Sequence, residues 1–100
     1  MPGRFRYLPL DVIDRWIELM ESEGVSKVAR SRRGFLAAYE KAGGDPAALS
    51  PWWRQRRDNF VARHMAQAKA NDERLWVDGL PSRRHLALIA WAYSPTPSRV

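Results

Sequence analysis

Ser50-Pro51 opens a stretch, PWWRQRRDNFVARHMAQAKA, that runs over residues 51–70 without glycine or a second proline. A serine hydroxyl caps the first free N–H groups of a helix, and a proline in the first turn loses no hydrogen bond. The spacing predicts a helix over residues 51–70, fraying at Asn71-Asp72 and longer than any other in the chain. One hundred residues make one domain, so the rest of the chain has to fit around this helix.

The other segments are shorter and firmly punctuated. Pro9 suits a first turn, with Asp11 and Asp14 where the helix dipole favours acids. Ile13, Trp16, Ile17 and Met20 recur at helical spacing and Gly24 is a natural stop, so one helix is expected over residues 9–24. The stretch VSKVARSRRGFLAAYEKAGG allows two readings. Either one helix runs from Ser26 with Gly34 inside it, or a turn over residues 26–30 precedes a new helix, capped by Ser31, over residues 32–42. The second is preferred. Phe35, Tyr39 and Ala42 then share an inner face, and Val28 falls on its extension. A helix-turn-helix fits poorly, because Gly34 stands one position later than its tight turn requires.

Gly43-Gly44-Asp45-Pro46 breaks the chain again. Asp78-Gly79 signals a turn, read as a packed loop or miniature hairpin anchored by Leu75, Trp76 and Leu80. Ser82 caps a last helix over residues 83–93, stopped by Pro95 and Pro97. The expected fold is an all-α single domain, a bundle of about four helices over residues 9–93. A basic N-terminal arm (1–8, with Arg4 and Arg6) precedes it and a proline-rich flexible tail (94–100) follows.

At 100° per residue the long helix divides into faces. Trp53, Phe60, Val61, His64 and Ala68 form a core stripe flanked by Met65. Arg57 points into the same stripe. Its stem would pack there while its head reaches the edge or pairs with a carboxylate, Glu18 or Glu21 being candidates. Trp52, Arg56, Arg63 and Gln67, with Asn59 beside them, occupy the opposite side. Guanidinium forks, an aromatic ring and amides are what a nucleic-acid surface uses, and equally what a solvated helix face contains. Burying a tryptophan is worth up to about 5 kcal/mol and stacking one base about 1–3 kcal/mol. The five tryptophans therefore serve mainly folding. Trp53 is assigned to the core, and Trp52 is left open between core and partial exposure.

The net charge is +6, and 14 Arg stand against 3 Lys. Codon bias in a GC-rich bacterial genome and an anionic partner both fit that excess. The charge is unevenly spread: residues 1–24 are net acidic and residues 25–70 hold most of the positive excess. Arg30, Arg32 and Arg33, then Arg54 and Arg56, then Arg83 and Arg84 with His85, lie at or near three expected helix starts. Brought together they would form one anion-binding surface; scattered, they would be solvated turns. The candidate nucleic-acid contacts are Arg30, Arg32, Arg33, Arg54, Arg56, Arg63, Arg83 and Arg84, with Trp52 as a stacking ring.

Leu86, Leu88, Ile89, Trp91 and Tyr93 go almost all the way around the last helix, which is either central or faces a partner. Leu88 and Trp91 are the candidate interface for the alternative, a protein-interaction or assembly domain, including a homodimer. There is no cysteine, and His64 and His85 are the only histidines. No metal-ligand spacing, phosphate loop, nucleophile elbow or serine triad occurs, so neither an enzyme nor a metal, cofactor or small-molecule substrate is expected. The longest apolar run, residues 86–93, is far short of the roughly 20 that span a bilayer. The N-terminus lacks secretory features, and a cytoplasmic location is expected.

Overall fold

The long helix forms over Pro51–Ala70 (α4) in a computed structural model, which describes residues 6–93. Residues 1–5, with Arg4, and the tail of residues 94–100 lie outside the described residues. Ser50 Oγ accepts from the Trp53 N–H at 3.2 Å. Twenty residues at about 1.5 Å each make a rod of about 30 Å. That is comparable with the extents of the molecule, 35 × 31 × 25 Å. Arg57, Val61 and Ala68 are its buried residues, with Trp53, Phe60, His64 and Met65 half-buried beside them.

The elements around it are α1 (Leu10–Asp14), α2 (Ile17–Glu23), α3 (Phe35–Lys41), a 3-10 turn (Pro46–Ala48), β1 (Trp76–Val77), β2 (Leu80–Pro81) and α5 (Arg83–Ile89). The architecture is mostly helical with a small two-stranded sheet, rather than all-α. The expected first helix is two helices. Arg15 closes α1, and Trp16 (φ −108°, ψ 2°) opens α2. Ile13 and Met20 are both buried across this bend, so the apolar spacing survives it and does not reveal it. At Gly24 (φ 67°) the N–H groups of Gly24 and Val25 return to Glu21 O and Met20 O, a Schellman ending.

The break before α3 is present, but Ser31 does not cap the helix. Its hydroxyl donates back to Val28 O at 2.7 Å, and α3 begins at Phe35 after Gly34. Val28, expected on the inner face, is 75% exposed, because residues 27–30 form turns rather than an extension of α3. Asp78 (φ 53°) and Gly79 (φ 81°) supply the two left-handed residues of a type I′ hairpin turn. Trp76 pairs with Pro81 and Val77 with Leu80. Leu80 is exposed and does not anchor the hairpin. Trp76 does so through edge contacts to the His85 and Trp16 rings at 4.7 and 6.2 Å. Leu75 O accepts from Ser82 N–H and from His85 Nδ1, each at 2.9 Å.

The last helix stops at Ile89 rather than continuing to residue 93. Ala92 takes φ 58°, and the N–H groups of Ala92 and Tyr93 return to Ile89 O and Leu88 O. Of the two readings of this apolar segment, central burial is the one found. Leu88 and Trp91 are 0% and 7% exposed, so neither offers an interface. Trp91 sits within a column of five rings. Tyr39 stacks on Phe35 at 5.5 Å, Phe35 on Trp91 at 5.1 Å, Trp91 on Phe60 at 4.6 Å and Phe60 on His64 at 4.0 Å. That column ties α3, the end of α5 and α4 into one core.

The same end of α5 receives the N-terminal segment. Leu8 N–H donates to Ala92 O at 2.7 Å, Tyr7 bridges Tyr93, and the Tyr39 hydroxyl donates to Leu8 O at 2.9 Å. Arg57 lies beneath this junction. Its Nε donates to Trp91 O at 3.0 Å, and its Nη2 to Ala92 O at 2.8 Å and Arg6 O at 2.6 Å. Its guanidinium is 3.8 Å from the Tyr7 ring centre. The carboxylate beside it is Asp58 at 2.9 Å rather than Glu18 or Glu21. Glu21 lies 3.8 Å from Arg30 instead. Residues 6–8 of the basic arm are thus fastened to the domain.

Candidate nucleic-acid interface

The outer face of α4 presents Trp52, Arg56, Asn59 and Arg63 to solvent. They stand there because Arg57, Val61 and Ala68 fix the opposite side in the core. Trp52 is 60% exposed, while Trp53 is half-buried and edge-on to it at 4.8 Å. One turn along, the Arg56 guanidinium lies 5.2 Å from the Trp52 ring centre, a cation–π pair in solvent. Asn59 Oδ1 accepts from Gln55 Nε2 at 3.0 Å. Arg54 is half-buried at the margin. Gln67 has left the line: its Oε1 accepts from Arg84 Nη1 at 2.8 Å.

In the other two basic clusters Arg30, Arg83 and Arg84 are matched by acids of the same chain, whereas Arg32 and Arg33 have no ion pair among the described residues. Arg30 donates from Nε to Val25 O at 3.1 Å and faces Glu21. Arg32 shares with Asp14, Glu21 and Glu40 an open groove of about 520 Å³ between α2 and α3. Arg33 is exposed. Arg32 and Arg33, expected in the first turn of this helix, lie with Arg30 in the turns before it, because α3 begins after Gly34. Arg83 donates to Glu23 O and lies 3.4 Å from Glu23 Oε1. Arg84 makes a two-pronged contact with Glu73, Nε to Oε1 and Nη2 to Oε2, each at 2.9 Å. His85 is buried and takes no part in a surface. Among the described residues, the ion pairs join Arg30, Arg57, Arg83 and Arg84 to carboxylates, and none of them involves Arg32, Arg33, Arg54, Arg56 or Arg63.

Arg84 Nη1 also lies 2.8 Å from His64 Nδ1. A guanidinium only donates, so Nδ1 accepts and the imidazole proton sits on Nε2. Burial, then the Arg84 charge, lower the His64 pKa below 6.5. Burial also lowers that of His85, against its bond to Leu75 O. Hydrogen bonds from Arg84, then Asn71, hold Glu73 down at about 2. Both histidines are kept neutral in the fold, so the unfolded chain takes up protons first as pH falls through 6.5, and stability drops there. The Glu73 contribution is present above 4.5 and is lost on the way down to about 2. Thermal melts should therefore show a falling midpoint between about pH 7 and about pH 5. The slope should flatten in a His64→Phe, His85→Phe variant. A wild-type midpoint that is level over that window would contradict the neutral assignment of both rings.

No known protein family, characterised protein or solved structure matches this chain. Among the described residues no helix is long and apolar enough to cross a membrane, and no cluster of three or more His, Cys, Asp or Glu side chains is placed to hold a metal ion. Two features escaped the sequence. Glu73 neutralises Arg84, and the hairpin leaves Trp76, Val77 and Leu80 each about half exposed. The first pairing joins two loop-flanking positions that no helical spacing relates. The second follows from the two-residue strands, which are too short to turn a whole face inward.

Proposed function

We propose that this domain binds nucleic acid through the outer face of α4, with Arg56 and Arg63 on phosphates and Arg54 at the margin. The observation that carries this is the solvent-facing line Trp52–Arg56–Arg63, which has no ion-pair partner among the described residues, whereas Arg30, Arg83 and Arg84 each face a carboxylate. Arg30, Arg83 and Arg84 are accordingly secondary contacts, since each would have to leave a carboxylate. Arg32 and Arg33 are exposed and remain available. Affinity of this kind comes from counterion release and falls steeply with salt. An Arg56→Glu, Arg63→Glu variant should fold normally, lose most of its affinity at low salt and show a salt slope shallower by about one for each arginine removed. Undetectable binding of the wild type to single-stranded and duplex oligonucleotides at low salt would end the proposal.

A protein-interaction or assembly domain is the second reading, and the exposed Trp76, Val77 and Leu80 of the hairpin support it in place of Leu88 and Trp91. Sedimentation should then show a dimer that a Val77→Lys, Leu80→Lys variant abolishes; a wild type monomeric at every concentration counts against it.

A further inference from the structure

Resting on the nucleic-acid proposal above, we infer that the ligand of the α4 face is single-stranded, with one base stacked on Trp52. Phosphate contacts alone do not distinguish strands, because both single and double strands offer them. The tryptophan does. A duplex hides its base faces within the stack, so only a single strand, a loop or an end presents a face to an aromatic ring.

Three observations place Trp52 in that role. Its ring is 60% exposed at the start of the basic line, whereas its neighbour Trp53 is drawn inward by Phe35, edge-on at 5.9 Å, and by Trp91 at 6.2 Å. Among the described residues Trp52 has no such inward contact: its ring neighbours there are Trp53 and the Arg56 guanidinium. The ring is also steadied, since Trp53 meets it at 4.8 Å and 76° and Arg56 lies 5.2 Å from its centre. A steadied ring loses less freedom when a base settles on it. Finally, Arg63 lies eleven residues on along the same face, about 16 Å away at helical rise. A strand of a few nucleotides would bridge from a base on Trp52, past a phosphate at Arg56, to a second phosphate at Arg63. Asn59 lies between them on this face.

The test compares wild type, Trp52→Ala and Trp52→Phe by fluorescence anisotropy. The probes are a short oligothymidylate, the same backbone carrying abasic sites, and a mixed-sequence duplex. Circular dichroism melts check that each variant is folded. The expected result is preference of the wild type for oligothymidylate over the abasic strand and the duplex. Trp52→Ala should weaken the oligothymidylate complex about 5- to 150-fold, the range of one base stack, and leave the other two complexes unchanged. Trp52→Phe should retain most of the preference. Equal loss on all three probes, or no loss on any while Arg56→Glu still abolishes binding, overturns the single-strand assignment and leaves the proposed function standing. No binding of the wild type to any probe overturns both.

Discussion

Replacing Arg57 by leucine is expected to destabilise the domain by about 3–5 kcal/mol. The side chain is fully buried, and among the described residues its fork serves the carbonyls of Trp91, Ala92 and Arg6. Leucine replaces the aliphatic stem but not the guanidinium, so the donors and the packing on the Tyr7 ring are lost together. The carbonyl of Trp91 lies in the buried interior, where an unpaired polar group is expensive, and would lose its donor, while that of Ala92 would keep the Leu8 N–H. Ala92 adds to the effect. A non-glycine residue at φ 58° carries roughly 1–2 kcal/mol of strain. It is held there by contacts on either side, with Ala92 O accepting from Arg57 and from Leu8 N–H. Total stability for a domain of this size is about 5–15 kcal/mol. The melting temperature should fall by about 15–30 °C. Arg57→Lys keeps the charge but offers a point donor in place of a planar fork, and it should recover less than half of the loss. Urea titrations of the three proteins decide the matter, and a loss below about 1 kcal/mol in the leucine variant would mean that Arg57 does not hold the junction.

Arg57 also shows what a sequence carries and what it omits. The helical period places an arginine in an apolar stripe, and that much was legible. Its carbonyl partners were not, because they come from both ends of the described chain, and carbonyls leave no trace in residue identity. The same holds along the chain. Capping chemistry located the starts of α4 and α5, where Ser50 and Ser82 accept from the N–H groups three residues on. Gly24 and Asp78-Gly79 marked endings and turns through φ values that other residues avoid. Interruptions without such chemistry were invisible. Arg15-Trp16 carries no breaker, and Trp91-Ala92-Tyr93 reads as an uninterrupted helix.

The candidate site followed the same division. Periodicity separated Trp52, Arg56 and Arg63 from the core face of α4. Which arginines remain available is a tertiary property. Arg84 looked as free as Arg56 until Glu73 was found against it. Sequence proximity overstates the basic surface, because the acids that offset Arg30, Arg83 and Arg84 arrive from α2 and from the loop after α4.

A methyl group added at Gly34 should be nearly as damaging as the loss of the Arg57 fork. Gly34 has φ −89° and ψ −178°, an extended conformation open to any residue, so backbone strain plays no part. The obstacle is space. A Cβ there would lie 2.5 Å from Ala29 O and closer still to Val28 O, both backbone atoms. Those carbonyls are not free to retreat, since Ala29 O accepts from Leu36 N–H at 3.1 Å and Val28 O from the Ser31 hydroxyl and Ser31 N–H. Relief would have to move the whole turn of residues 25–33 away from the start of α3, where Phe35 enters the five-ring column. Overpacking of an adaptable core costs about 1–3 kcal/mol, and a clash against hydrogen-bonded backbone belongs at or above the top of that range. Gly34→Ala should therefore lose about 3 kcal/mol or more in urea unfolding, although alanine is the better helix former by about 1 kcal/mol. The opposite sign, a gain in stability, is what a continuous helix through residues 26–42 would give, so this one substitution discriminates between the two readings of that segment. Serine should behave as alanine does, because its hydroxyl cannot compensate for a Cβ that has no room.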